Sequence, residues 1–125
     1  MIRVVCAVLV EGGKVFVCRR PFEKNEGGKW EFPGGKVESG ETDQEALVRE
    51  IMEELRMKIS VRDSIGFSSN DGVTLVAYLA EREGQVIELS EHLEFRWVGP
   101  EGGDLLDWAS LDIPLWNQLK KSGLI

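Results

Sequence analysis

The stretch from Gly35 to Met57, GKVESGETDQEALVREIMEELRM, constrains this chain more than any other. Thr42-Asp43-Gln44-Glu45 has the form of a capping box, with Thr42 as N-cap and Glu45 reaching back to its backbone N–H. Nothing breaks a helix from there to Leu55, so the spacing predicts a helix over about residues 42–55. At about 100° per residue, Leu47, Val48, Ile51, Met52 and Leu55 fall within an arc of roughly 140°. Glu50, Glu53 and Glu54 fall in a separate arc of about 100°, with Arg49 at its edge. One face is predicted to bury in a core, while the other gathers carboxylates within one turn.

Like charges at these spacings repel by a few tenths of a kcal/mol per exposed pair. Glutamates alone would read as a solvated acidic stripe. Hard divalent cations remove the repulsion, because Mg²⁺ prefers carboxylate oxygens, often together with substrate phosphates. The Pro33-Gly34-Gly35 turn, Glu41 and Arg49 at these spacings favour that second reading.

The pattern Gly, five residues, Glu, seven residues, Arg-Glu-aliphatic-x-Glu-Glu-x-Gly-aliphatic resembles the Nudix box of the Nudix hydrolases. Gly35, Glu41, Arg49, Glu50, Ile51, Glu53, Glu54 and Met57 match it; Arg56 stands where the family has Gly. That Gly lets the helix end in a left-handed turn, and another residue there costs roughly 1 kcal/mol. The departure touches the helix exit and removes no metal ligand.

A chain of 125 residues is long enough for one domain with a real core, expected to span 1–125. Its net charge of −7, with no basic cluster longer than a dipeptide, disfavours a nucleic-acid partner. Bound metals can still let an acidic protein take polyphosphate. No apolar run approaches a membrane span, and the run Val4 to Val10 leads into Glu11-Gly12-Gly13-Lys14 with no cleavage site, so a cytoplasmic location is expected. Cys6 and Cys18 lack metal or redox spacing. With Gly12-Gly13 as a two-residue hairpin loop, Cys18 sits opposite Ala7 and Cys6 points to the other face, as two reduced thiols.

Residues 3–11 and 14–20 read as strands, Pro21 to Lys29 as a surface loop and Trp30 to Phe32 as a short strand before the Pro-Gly-Gly turn. After the helix, strands are expected at Lys58 to Ile65, Val73 to Glu81 and Phe95 to Val98, with a turn at Ser68 to Gly72 and an extended segment at Val86 to Leu89. Gly99-Pro100 and Gly102-Gly103 end the last strand, and Asp112-Ile113-Pro114 opens a helix that Gly123 stops. Strands surrounding two helices imply an α+β fold. The resemblance implies the Nudix fold, a mixed β-sheet sandwiched between helices.

The resemblance further implies a Mg²⁺-dependent (or Mn²⁺-dependent) nucleoside triphosphate pyrophosphohydrolase of the MutT-like group, yielding monophosphate and pyrophosphate and cleansing the nucleotide pool. Its metal ligands would be Glu50, Glu53, Glu54, the Gly34 carbonyl and the loop residue Glu91, six residues before Trp97. Glu50, Glu53 and Glu91 all remain candidates for the base. Arg49 and Glu41 would orient the glutamates, and Arg20 and Lys36 would meet phosphates. Phe32 and Trp108 are candidate base-stacking residues, and His92, the only histidine, reads as a surface residue.

Asp112 lies where MutT-type enzymes hold an Asn that reads the base and pyrimidine-directed relatives place an Asp. A carboxylate accepts from the exocyclic amine of cytosine, which tilts the expectation to cytosine nucleotides over 8-oxo-dGTP. Asp112 is equally a good N-cap, and the two roles can coexist. Other diphosphate substrates (ADP-ribose, a dinucleoside polyphosphate, an RNA 5′ end) and a catalytically silent nucleotide-binding domain are the alternatives. Monomer and homodimer are both open.

Overall fold

The computed structural model describes all 125 residues. In chain order it contains β1 (Ile2–Glu11), β2 (Lys14–Arg19), β3 (Trp30–Glu31), β4 (Gly34–Lys36), α1 (Asp43–Leu55), β5 (Ile59–Asn70), β6 (Val73–Arg82), β7 (Phe95–Val98), α2 (Pro100–Asp104) and α3 (Asp112–Ser122). β1 organises the molecule. Val5 to Leu9 are all buried, the mark of a strand covered on both faces. Along its length β1 pairs in parallel with β6, from Ile2↔Val73 to Leu9↔Ala80. At its start it also pairs antiparallel with β4, and at its end with β2. The result is a mixed sheet in the order β3-β2-β1-β6-β5, with β4 on β1 and β7 on β2.

The Gly12-Gly13 hairpin forms as expected. Both glycines have positive φ, 59° and 75°, which this tight turn requires. The register Val10↔Val15 and Glu11↔Lys14 does not run on to Cys18: that residue pairs with Glu31 of β3 and Phe95 of β7, not with Ala7, whose N–H donates to the Pro33 carbonyl. The two cysteines do join different core clusters, as expected. One cluster packs Leu47, Ile51 and Leu55 of α1 against Val5, Phe16 and Tyr78. The other packs Leu115, Trp116 and Leu119 of α3 against Cys6, Val17 and Leu75. Helices thus cover both faces of the sheet. No helix is long and apolar enough to cross a membrane.

Several expectations are corrected. The Pro-Gly-Gly segment is more than a turn, because Gly34–Lys36 pairs with Val4–Cys6 as β4. β5 runs past Ile65 to Asn70, and only Asp71-Gly72 turn. Its two register shifts, around Ser64, blur the alternation by which the strand would be read. Residues 86–89 form no strand; Ile87 and Leu89 instead pack on the core beside α1, and the Glu88 N–H donates to the Leu55 carbonyl at 2.9 Å. Gly102-Gly103, read as strand breakers, lie within the short helix α2, where Gly103 is needed because a Cβ would strike the Trp116 ring. The buried side of α1 is narrower than its apolar arc: Val48 and Met52 stay more than a third exposed.

α1 begins with the full capping box: Glu45 N–H donates to Thr42 Oγ1 at 3.1 Å, and Thr42 N–H donates to Glu45 Oε1 at 2.9 Å. It ends at Arg56 with φ 54° and ψ 28°, the left-handed conformation in which glycine carries no steric penalty. Arg56→Gly is therefore expected to stabilise the protein by up to about 1 kcal/mol, read from urea unfolding curves, with hydrolysis unchanged.

Candidate active site

The box residues meet where α1 crosses β4. A Cβ on Gly34 would fall on the Val5 carbonyl, so only glycine lets β4 lie this close to β1. A Cβ on Gly35 would collide with the Glu50 carboxylate. The glycine pair therefore seats the strand and leaves room for a glutamate above it. Gly35→Ala is expected to displace Glu50 and lower divalent-cation affinity by about tenfold, measured by calorimetry, while the far-UV circular dichroism stays native.

Arg49 grips the acidic face of α1. Its Nε and Nη2 donate to the two oxygens of Glu41 at 2.7 and 2.9 Å, and its Nη1 donates to Glu50 Oε1 at 2.8 Å. Weaker contacts reach Glu53 Oε2 at 3.4 Å and the Lys36 carbonyl at 3.2 Å. The guanidinium, together with the Glu38 N–H, draws the Glu41 carboxyl down to about 2. A planar fork with this many fixed acceptors orients Glu41 and Glu50 against each other, which a lysine would not reproduce.

Next to Gly34 and Gly35 opens a cleft of about 690 Å³, a size suited to a small ligand. Its walls include Arg20, Lys24, Glu31, Phe32, Gly34, Gly35, Lys36, Glu50, Glu54, Glu91, His92 and Asp112. Glu54 lies deepest among the box glutamates. Burial, with Glu31 and Glu50 nearby, pushes its carboxyl up to about 8, and one oxygen, Oε1, is buried without any hydrogen-bond partner. A buried acceptor of this kind demands a counterpart. Glu53 and Glu91 are different, with side chains 61% and 55% exposed. Glu53 turns toward Arg49, and Glu91 pairs with Lys24 Nζ at 3.0 Å, which holds its carboxyl below the ordinary range.

In this arrangement no group of three or more His, Cys, Asp or Glu side chains is placed to grip an ion together. Glu50, Glu54 and Glu91 line the cleft and Glu53 does not, while Glu50 and Glu53 lean on Arg49 and Glu91 on Lys24. The donor set still suits a hard cation: carboxylate oxygens, a backbone carbonyl at Gly34 and one orphaned buried oxygen.

Asp112, which also lines the cleft, is only 4% exposed. Its Oδ2 accepts from the Phe32 backbone N–H at 2.9 Å, so the carboxyl does not cap its own helix; Leu111 occupies the N-cap position. Burial and the neighbouring Glu31 raise the Asp112 carboxyl well above its usual range. Phe32 borders the cleft but is itself buried, its ring 5.1 Å from Trp108, which stacks in turn on Trp116. Trp108 belongs to the core. Lys36 is exposed at the cleft edge. Arg20 donates from Nε to the Asn25 carbonyl at 2.9 Å and from Nη1 to Glu31 Oε1 at 2.7 Å.

Two residues escaped the sequence reading. Glu31 lines the same cleft as Glu54 and Asp112, and its charge helps to raise both carboxyls. His92 is not on the surface: its side chain is 3% exposed and its Nε2 stands 2.9 Å from Glu31 Oε2. The one available signal was Trp30-Glu31-Phe32, a charge flanked by two aromatics beside the glycine turn. Only the pairing Cys18↔Glu31 and the path of the loop before β7 bring it to the cleft.

A NUDIX domain model matches residues 1–115. The chain belongs to the Nudix family. It is 34% identical to the CTP pyrophosphohydrolase of Escherichia coli K12 over 119 residues, which covers 92% of this chain and 88% of that protein. With the 8-oxo-dGTP diphosphatase of the same organism it shares 38% identity over 116 residues, 89% of each chain. The solution structure of the E. coli ORF135 protein superposes with a TM-score of 0.82 at 31% identity, covering 97% of this chain and 89% of that one. Nudix hydrolases generally depend on a divalent cation, in keeping with the oxygen-rich cleft.

Proposed function

We propose that this Nudix domain hydrolyses nucleoside triphosphates to the monophosphate and pyrophosphate, with cytosine nucleotides as leading substrates, and serves to clear surplus or modified nucleotides. The observation that carries this reading is a single cleft lined both by Glu54, with its unpartnered oxygen, and by the buried Asp112. Glu50, Glu53, Glu54, Glu91 and the Gly34 carbonyl would hold Mg²⁺, or Mn²⁺ in its place. The bound cation would neutralise phosphate charge and draw electron density from the scissile anhydride.

The chain's own residues do the rest. Arg49 fixes Glu50 and Glu41, so the acidic face is ordered before substrate arrives. Lys36 stands free at the cleft edge to meet a terminal phosphate. The neutral acid that burial favours at Asp112 offers a carbonyl oxygen to the cytosine amine and a hydroxyl to the adjacent ring nitrogen. Its second contact, to the Phe32 N–H, holds that orientation. The E. coli relative named a CTP pyrophosphohydrolase supports the cytosine preference.

Initial hydrolysis rates with Mg²⁺ across CTP, dCTP, 5-methyl-dCTP, dGTP, 8-oxo-dGTP and ADP-ribose, with product identification, test this reading. A cytosine preference yielding pyrophosphate is expected. Equal turnover of all common nucleotides would sink the preference, and no turnover would sink the activity. Glu53→Gln is expected to lower the rate by at least about tenfold; a rate within about twofold of wild type would remove Glu53 from the ligand set.

A further inference from the structure

Glu31 is held at both carboxylate oxygens, and the hydrolytic scheme above makes no use of it. Oε1 accepts from Arg20 Nη1 at 2.7 Å, and Oε2 faces His92 Nε2 at 2.9 Å. Because a carboxylate oxygen accepts, the His92 Nε2 carries the proton in this contact. The ring's other nitrogen, Nδ1, is buried with no partner. An unpaired buried ring nitrogen is unfavourable, so the gain that keeps the imidazole here lies on the Glu31 side.

The rest of its loop does not need the ring. The Ser90 N–H donates to the Glu54 carbonyl, and Leu93 and Arg19 exchange backbone contacts with β2's end through Leu93 N–H to Arg19 O and Arg19 N–H to Glu94 O. Backbone hydrogen bonds thus already fix the loop on either side of His92. Its imidazole is free to serve a side chain instead.

Glu31 stands where a clamp is needed. It precedes Phe32, whose N–H Asp112 accepts, and its charge bears on both Glu54 and Asp112. Without its two donors the half-buried carboxylate would have nothing to fix its direction. Each carboxylate oxygen has two acceptor directions, so the clamped group still has capacity for N–H or O–H donors of a nucleoside in the cleft.

We propose that His92 is a positioning residue for nucleotide binding: with Arg20 it clamps Glu31 within the cleft that Glu54 and Asp112 also line. The proposal rests on the nucleotide-hydrolase reading above. It makes His92 act through Glu31, not through its neighbour Glu91.

The test uses His92→Leu, His92→Gln and His92→Asn, each alone and with Glu31→Gln. For each, KM and kcat for CTP are measured, with the affinity for α,β-methylene-CTP and for Mn²⁺ alone by calorimetry. His92→Leu is expected to raise KM and weaken the analogue by about tenfold, with kcat within about threefold. Mn²⁺ affinity should stay within about twofold, because no cation ligand has been moved. His92→Gln, whose amide N–H reaches about where Nε2 lies, should restore binding, and the shorter Asn should not. In the Glu31→Gln background His92→Leu should add little, since two residues acting as one unit are non-additive.

An equal effect of His92→Leu in both backgrounds overturns the clamp. So does a failure of Gln to rescue, or a tenfold loss of Mn²⁺ affinity with analogue binding unchanged. Should His92→Leu not fold, the Gln and Asn pair carries the same comparison. A wild type that binds and hydrolyses no nucleoside triphosphate sinks both readings. A wild type that hydrolyses CTP, with His92→Leu indifferent, sinks only the clamp.

Discussion

Replacing Glu54 by Gln is expected to abolish hydrolysis and, in the same protein, to raise stability above neutral pH. The loss of activity should be at least about 100-fold, because the deepest anionic oxygen of the cleft is gone and neither Glu53 nor Glu91 is buried enough to replace it. The gain in stability follows from the same burial. In the cation-free protein the Glu54 carboxyl is raised from 4.5 to about 8. Between those values the folded state holds a proton that the unfolded chain has released. The stability from this group is thus fully present below the unfolded value and is lost as pH rises through the folded one.

Gln is neutral at every pH and suffers no such loss. With EDTA present, urea unfolding of the wild type should weaken from acid to mildly alkaline pH by on the order of 2–4 kcal/mol relative to Glu54→Gln. Parallel pH profiles for the two proteins would overturn the assignment. Activity and stability would then be opposed at one side chain, the usual signature of a site held in a costly arrangement for its chemistry.

The reach of the sequence ends where chemistry depends on side chains brought together from afar. Helix α1 and its acidic face were legible because the capping box and the 3.6-residue period are local signals, and the structure reproduces both ends. The Gly12-Gly13 register was legible at the turn, and strand alternation put Cys6 and Cys18 on opposite faces, but the departure of β2 to β3 and β7 before Cys18 had no local signal. By contrast β4 is three residues long, and its pairing with β1 owes more to the close approach at Gly34 than to any strand propensity.

Asp112 shows the limit most plainly. Asp before Ile-Pro is a local cap signal, yet the carboxyl turns instead to the Phe32 N–H, eighty positions away in sequence. His92 misled for the same reason, since a lone loop histidine carries no sign of the half-buried glutamate that β3 presents to it. Arg20 was legible as a cleft residue, but its two partners, Asn25 and Glu31, depend on how the loop after β2 folds back.

The second large effect belongs to Asp112 itself. Asp112→Ala is expected to leave the Phe32 N–H buried and unpaired, costing about 1–3 kcal/mol of stability. It should also erase most base preference, by roughly 100-fold, since a site built to hydrogen-bond loses its discrimination with the group. Asp112→Asn should behave differently. Its carbonyl can still accept from Phe32 and from a base amine, while its amide N–H takes the place of the acid's hydroxyl. At neutral pH it should therefore turn over CTP within a few fold of wild type.

The two proteins part as pH rises through the raised value. Burial and Glu31 raise the Asp112 carboxyl, so the wild type is neutral below the raised value and becomes an anion above it. The anion cannot donate to the cytosine ring nitrogen, and KM for CTP should climb as pH rises. For Asp112→Asn, which has no proton to lose, KM should stay flat over the same range, measured at one fixed Mg²⁺ concentration so that changes at the glutamates are common to both. If wild type and Asp112→Asn instead show the same rise, the base is being read by another group, and the carboxyl serves chiefly to anchor Phe32.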